Sequence, residues 1–204
     1  MTDQDTTRRE LMRGGAAAAA AIAAAVTAPS LLDPPGALAA PLGDAAVLVS
    51  LLRVEQVLVA AYERALATGI LSAAAQSLVR SFLDQERAHV HALSGAVPRG
   101  AGASLPDSPQ TTSAFDAELR ALRIRRSPTE LRNERPYLRF LVELEVVIAH
   151  HYRFAIASLE GEKPLLTAAE IMANEAQHAT SLRELLSPGN VKRAVPSAFV
   201  AGTT

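Results

Sequence analysis

The chain contains no cysteine and no tryptophan among its 204 residues. Without thiols there is no disulfide, no thiolate metal site and no cysteine nucleophile, so any metal must be held by oxygen and imidazole. Aromatic residues supply only 4% of the chain, against 49% apolar residues dominated by alanine and leucine. Such side chains lose little rotamer freedom in a helix. Also missing are alternating β-branched runs joined by Asn-Gly or Asp-Gly, the usual mark of β-hairpins. An excess of either charge is absent too: the formal net charge is −1, and the basic residues are scattered among acidic ones. That pattern carries no electrostatic footprint for nucleic acid. What remains is an all-α chain.

Residues 1–39 read as an export leader. The basic stretch Thr7-Arg8-Arg9-Glu10-Leu11-Met12-Arg13 precedes an alanine-rich run from Gly14 to Val26. That run is shorter than the roughly 20 apolar residues a membrane-spanning helix needs, and the order of basic then apolar segments is that of a signal peptide. The paired arginines before a weakly hydrophobic tract resemble bacterial twin-arginine signals, with Glu10 as a departure from the usual pattern. The resemblance implies the twin-arginine translocase as a partner and an extracytoplasmic destination. Cleavage is expected after Ala37-Leu38-Ala39 rather than after Val26-Thr27-Ala28, because Pro29 follows the latter. An uncleaved leader would act as an anchor. About 165 residues then remain, enough for one domain around a single core.

From residue 40 to 186 the sequence punctuates itself into helices. Asp44 is a candidate N-cap for a first helix to about Ala67, with Gly69 as its stop. Ser72 is the candidate cap of a second helix to about Leu93, ending at Gly95. The Gly-, Pro- and Ser-rich stretch from Gly95 to Ser113 reads as loop. A short helix is expected from Ala114 to about Ile124, capped by Ser113 with Asp116 as the capping-box acid. Ser127-Pro128-Thr129-Glu130 is a further start signal, but Pro136 should break that segment, giving a third long helix from about Pro136 to Leu159. A fourth ends near Leu186 and starts at either Pro164 or Thr167. Residues 187–204 are expected to form an irregular tail. Short turns join helices one to two and three to four, so each pair should form an antiparallel hairpin. A crossover of about forty residues separates the hairpins, long enough to run the length of a bundle.

The ionisable residues repeat along this frame. Glu86-Arg87-Ala88-His89 in helix two is matched by Glu175-Ala176-Gln177-His178 in helix four. Glu55 precedes Tyr62 by 7 residues, and Glu145 precedes Tyr152 by the same interval. The unit Glu-x6-Tyr followed by Glu-x2-His therefore occurs twice. An amide, Gln85 or Asn174, stands immediately before each second glutamate. At three residues' separation Glu and His share a helix face, and each Tyr lies about 10 Å along the axis from its glutamate on that same face. Glu55 and Glu86 both sit roughly 20 Å from their hairpin turn, so they meet at one height. Glu145 and Glu175 match as well only if helix four begins near Pro164, which favours that start. Four carboxylates and two imidazoles facing one another offer about three ligands to each of two metal ions. Hard oxygen and borderline nitrogen donors suit iron or manganese, and two divalent ions balance four carboxylate charges. Glu143 is displaced about 200° around its helix from Glu145. His91, His150 and His151 fall off the repeat, and Glu63, Glu134 and Glu160 read as solvated charge.

The order Glu, Glu-x-x-His, Glu, Glu-x-x-His resembles the ligand set of ferritin-like di-iron carboxylate bundles. The pattern is similar to that of bacterioferritin, rubrerythrin and smaller bacterial ferritin-like proteins, over about Asp44 to Leu186. The resemblance implies a ferritin-like four-helix bundle, two antiparallel hairpins joined by one long crossover. It implies that Glu55, Glu86, His89, Glu145, Glu175 and His178 bind and bridge two irons. It further implies that Tyr62 hydrogen-bonds a carboxylate ligand of another helix, with Tyr152 in the mirrored position. The implied activity is oxidation of ferrous iron by dioxygen or peroxide. A rubredoxin-like electron donor is excluded by the lack of cysteine. A twenty-four-subunit storage cage is disfavoured because the tail carries Pro188, Gly189 and Pro196 where a fifth helix would be needed; a homodimer fits. A non-catalytic stress- or desiccation-type protein of the envelope is the alternative reading.

Overall fold

The computed structural model describes residues 43–98 and 104–196. The expected leader at 1–39 and the last residues of the tail lie outside that range. Four long helices form the body: α1 (Asp44–Ala67), α2 (Ala73–Ala96), α4 (Glu134–Ile156) and α5 (Glu162–Leu186). Between the hairpins the described residues form the short α3 (Thr112–Ala121) and a 3-10 turn (Pro128–Glu130), and the described part ends after one helical turn, α6 (Val191–Ala194). No strand occurs among the described residues. The tail expected to be irregular thus includes one ordered turn, started by Asn190, whose side chain accepts from the Arg193 N–H.

α1 packs on α2 and α4 on α5, while α1 also faces α4 and α2 faces α5. All four neighbouring pairs run antiparallel, as two end contacts show. At one end of the bundle the Glu134 carboxylate, at the start of α4, accepts from the Ser72 N–H at the start of α2. At the other end, the two Asp44 oxygens at the start of α1 accept from the N–H groups of Glu160 and Gly161, both at 2.9 Å. Each contact satisfies amides that a helix start leaves without a partner. Glu134 was expected as solvated charge and Asp44 as the cap of its own helix; instead each serves the neighbouring hairpin. Gly43 is the N-cap of α1. Gly161 lies so close to Asp44 that an added Cβ would meet its Oδ2 at 2.7 Å, so a larger residue there would push the carboxylate out of its present place.

Helix boundaries follow local chemistry. α1 stops at Gly69, whose φ of 69° is the left-handed conformation glycine adopts without strain. α4 starts two residues before Pro136 and α5 two before Pro164, so each proline falls in a first turn where its missing N–H removes no bond. The Pro164 start therefore holds, and Thr167 is an ordinary helical residue. α3 is capped by Thr111, which accepts from the Ala114 N–H at 3.1 Å, not by Ser113. It ends short of Ile124 because Arg123 turns left-handed with φ 61°, returning the Ile124 N–H to the Leu119 carbonyl at 2.8 Å. Asp116 accepts from the Ser127 hydroxyl at 3.0 Å in place of a capping-box role.

α1 has the most buried residues of the four long helices. By length and composition it could cross a membrane, but its apolar residues are buried almost all round in the bundle, from Val47 through Ala61. The outer face is roofed by the crossover, which buries Phe115, Leu119 and Ile124. Arg53 grips Glu118 through two parallel bonds of 2.9 and 2.6 Å. Arg64 donates to the Pro109 carbonyl at 3.0 Å and places its guanidinium 4.4 Å from the Phe115 ring centre.

Candidate metal centre

An apolar core makes a buried carboxylate costly unless it is paired or neutralised. This core nevertheless encloses four: Glu55 from α1, Glu86 from α2, Glu145 from α4 and Glu175 from α5, each fully buried. His89 and His178 join them. The donor atoms form two overlapping groups, Glu55–Glu86–His89–Glu175 and Glu86–Glu145–Glu175–His178, each with all atoms within 4.8 Å of one another. Glu86 and Glu175 belong to both. All six residues singled out by the repeat are brought together, while Glu143 points to solvent and His91 is exposed. His151 lies half-buried elsewhere; burial, then its neighbour His150, lowers it to about 4 and keeps it neutral.

Proximity here is not ordinary hydrogen bonding. Nδ1 of His89 lies 2.9 Å from Glu175 Oε1, 3.2 Å from Glu86 Oε2 and 3.3 Å from Glu55 Oε2, yet only the Glu86 contact is aligned as a hydrogen bond. Nδ1 of His178 lies 2.9 Å from Glu86 Oε1 and 3.6 Å from both Glu145 Oε1 and Glu175 Oε2. None of those three is aligned. Six buried donor atoms therefore have no hydrogen-bond partner: Glu55 Oε2, Glu86 Oε1, Glu145 Oε2, both oxygens of Glu175 and His178 Nδ1. Native interiors seldom leave such atoms unsatisfied. Lone pairs converging from four helices on shared points fit metal ions, and the oxygen and imidazole donors suit hard or borderline cations. This cluster can hold metal ions.

The two tyrosines cross between hairpins. The Tyr62 hydroxyl on α1 donates to Glu145 Oε1 on α4, and the Tyr152 hydroxyl on α4 donates to Glu55 Oε1 on α1, at 2.5 Å. Burial, then the adjacent Glu145 or Glu55, raises each phenol well above its usual value, so both remain proton donors. Each outer carboxylate thus has its Oε1 held by a phenol and its Oε2 without a hydrogen-bond partner.

Without metal, the groups neutralise one another. Burial and then the charge of Glu175 raise Glu55 and Glu145 well above the carboxylate range. Burial works against charge on both histidines, but the surrounding carboxylates prevail and push each up to about 12. Burial would also raise Glu175, yet contacts with His178 and His89 hold it at about 2.

The model of the ferritin-like domain family matches residues 43–188. The chain belongs to that family. No curated protein and no solved structure matches it. The matched span of the ferritin-like domain takes in all four long helices and every residue of the cluster. Around that cluster are three side chains to which the repeat gave no role. Gln85 Oε1 accepts from Nε2 of His178 at 2.9 Å, Ser81 Oγ accepts from Gln85 Nε2 at 3.2 Å, and Phe82 stacks on the His178 ring with centres 4.0 Å apart. The amide before Glu86 was the one sign of them in the sequence.

Proposed function

We propose that the ferritin-like domain binds two iron ions in this cluster and oxidises ferrous iron with dioxygen or peroxide. What carries the reading is the pair of overlapping donor groups: Glu55 and His89 would serve one ion, Glu145 and His178 the other, and Glu86 and Glu175, common to both groups, would serve either. Ferrous iron is then substrate and electron donor, and the oxidant takes up the electrons. Manganese suits the same donors. When bound, the metal pair supplies the redox chemistry; the chain supplies charge, orientation and exclusion of water. Four glutamates offset two divalent charges in a medium where neither could stand alone. Tyr62 and Tyr152 fix the rotation of Glu145 and Glu55, the kind of outer support that sets the reach of a carboxylate ligand. The complete burial of the glutamates strengthens each of these interactions. We also propose that the Arg8-Arg9 leader sends the protein out of the cytoplasm through the twin-arginine route, which carries folded proteins and so permits metal loading before export.

Metal analysis and ferrous oxidation by the purified protein test the reading. About two iron ions per chain are expected, with rapid oxidation. Glu86→Ala or Glu175→Ala should abolish the pair, because each removes a ligand common to both positions. Glu143→Ala, which changes an exposed side chain two residues from Glu145, should leave binding intact. Metal that binds without turnover would instead assign a non-catalytic, structural metal protein.

A further inference from the structure

We infer that the two metal positions are unequal, and that Gln85 makes them so by holding the ring of His178 while no described residue holds His89 in the same way. The inference rests on the reading that the cluster binds two ions. Both histidines meet three carboxylates through Nδ1, so their inner surroundings are alike. Their outer surroundings are not.

Gln85 has a defined orientation. Its NH2 group donates to Ser81 Oγ one turn earlier, at 3.2 Å, which turns its oxygen to His178. The ring must then present an N–H at Nε2 to reach Oε1 at 2.9 Å, and Nδ1 is left directed at Glu86, Glu145 and Glu175. Phe82 adds a second restraint, lying over the same ring at 4.0 Å with 26° between planes. One stretch of α2 thus grips a histidine of α5 at its outer nitrogen and on its face.

The duplicated sequence puts Asn174 where a mirrored contact to His89 would start, but asparagine is one methylene shorter. Among the described residues no hydrogen bond joins Asn174 to His89, and none of them accepts from His89 Nε2. His89 is also the cluster member nearest to water, at 9% exposure against 1% for His178. A ligand already fixed in position loses less freedom when it binds, and losing an outer partner of a ligating histidine costs about 10–100-fold in affinity. The Glu86–Glu145–Glu175–His178 position should therefore retain its ion, and the Glu55–Glu86–His89–Glu175 position should exchange it. In a cycle of ferrous binding and release, the second position is the one that turns over.

The test loads the full chain with cobalt(II) without oxidant, adds a chelator, and follows loss of the cobalt absorption. Two phases of equal size are expected from the parent. Gln85→Leu keeps the size but lacks the acceptor; it should speed the slow phase by about 10–100-fold and leave the fast phase unchanged. Gln85→Glu retains an acceptor at the same reach and should preserve the slow phase. Should Gln85→Leu fail to fold, Ser81→Ala loosens only the amide and should speed the same phase by less. Single-phase release from the parent overturns the inference, as does equal acceleration of both phases, or no acceleration, in these variants. A parent chain that takes up no cobalt defeats the metal-centre reading itself, before any variant is compared.

Discussion

Stripped of metal, the protein should lose stability as the pH is raised from about 6.5 to 8.5, because the folded cluster holds protons that the unfolded chain gives up. His89 and His178 are pushed from 6.5 up to about 12 by their carboxylates, against the opposing effect of burial. In the unfolded chain both rings deprotonate as pH passes 6.5, while in the fold they stay charged. The native state then binds more protons, and unfolding free energy falls with pH. This histidine contribution is complete below 6.5 and drains away as pH climbs toward 12. Glu55 and Glu145 act with the same sign: raised by burial and by Glu175, they keep protons that the unfolded chain surrenders above 4.5. Glu175, held at about 2, has the opposite sign, but its contribution is complete above 4.5 and constant over this window. Each retained proton tilts stability by roughly 1 kcal/mol per pH unit, and the two histidines together by roughly 2–3. Against a total of about 5–15 kcal/mol for a domain, two pH units remove a large share. Urea denaturation with a chelator present measures this directly. With metal bound, the protons are already displaced and the midpoint should vary far less with pH. A metal-free midpoint that stays level or rises across the window would refute the proton count assigned to the cluster.

Tyr62→Phe should keep the fold and most metal binding, lower stability by no more than about 1–2 kcal/mol, and slow ferrous oxidation by freeing one oxygen of Glu145; kinetics that overlay the parent would leave Tyr62 a packing role alone. Asp44→Ala removes the clasp on the Glu160 and Gly161 amides and should cost about 1–3 kcal/mol in a denaturant titration, with cobalt stoichiometry unchanged because the loss is at the bundle's end. Arg8→Lys combined with Arg9→Lys should hold the precursor in the cytoplasm on cell fractionation; normal export would point to the general secretion route.

Much of this molecule is legible in one dimension because its information is periodic. Glu86 and His89, or Glu175 and His178, must share a face once their segments are helical, since three residues make nearly one turn. The 31- and 30-residue intervals between paired glutamates set equal heights in each hairpin, and the crossover length sets how the hairpins are joined. Proline in first turns and glycine after last ones mark boundaries through their own backbone chemistry. Glu145 could be separated from Glu143 by angle alone.

Contacts between segments distant in sequence carried no such signal. Nothing local in Asp44 indicates that it caps a loop 116 residues away, or in Glu134 that it serves the start of α2. Arg123 gives no sequence sign of the left-handed turn that trims α3, because most turns of that kind use glycine. The asymmetry between His89 and His178 was hidden for the same reason. Gln85 and Asn174 occupy equivalent places in the repeat, and a repeat predicts equivalent roles. A difference of one methylene decides which amide spans the gap between hairpins, and that gap exists only once α2 and α5 are packed. Sequence alone settled which residues face inward, since that depends on the turn of a single helix; the tertiary structure decided which of them touch, since that depends on distances between helices.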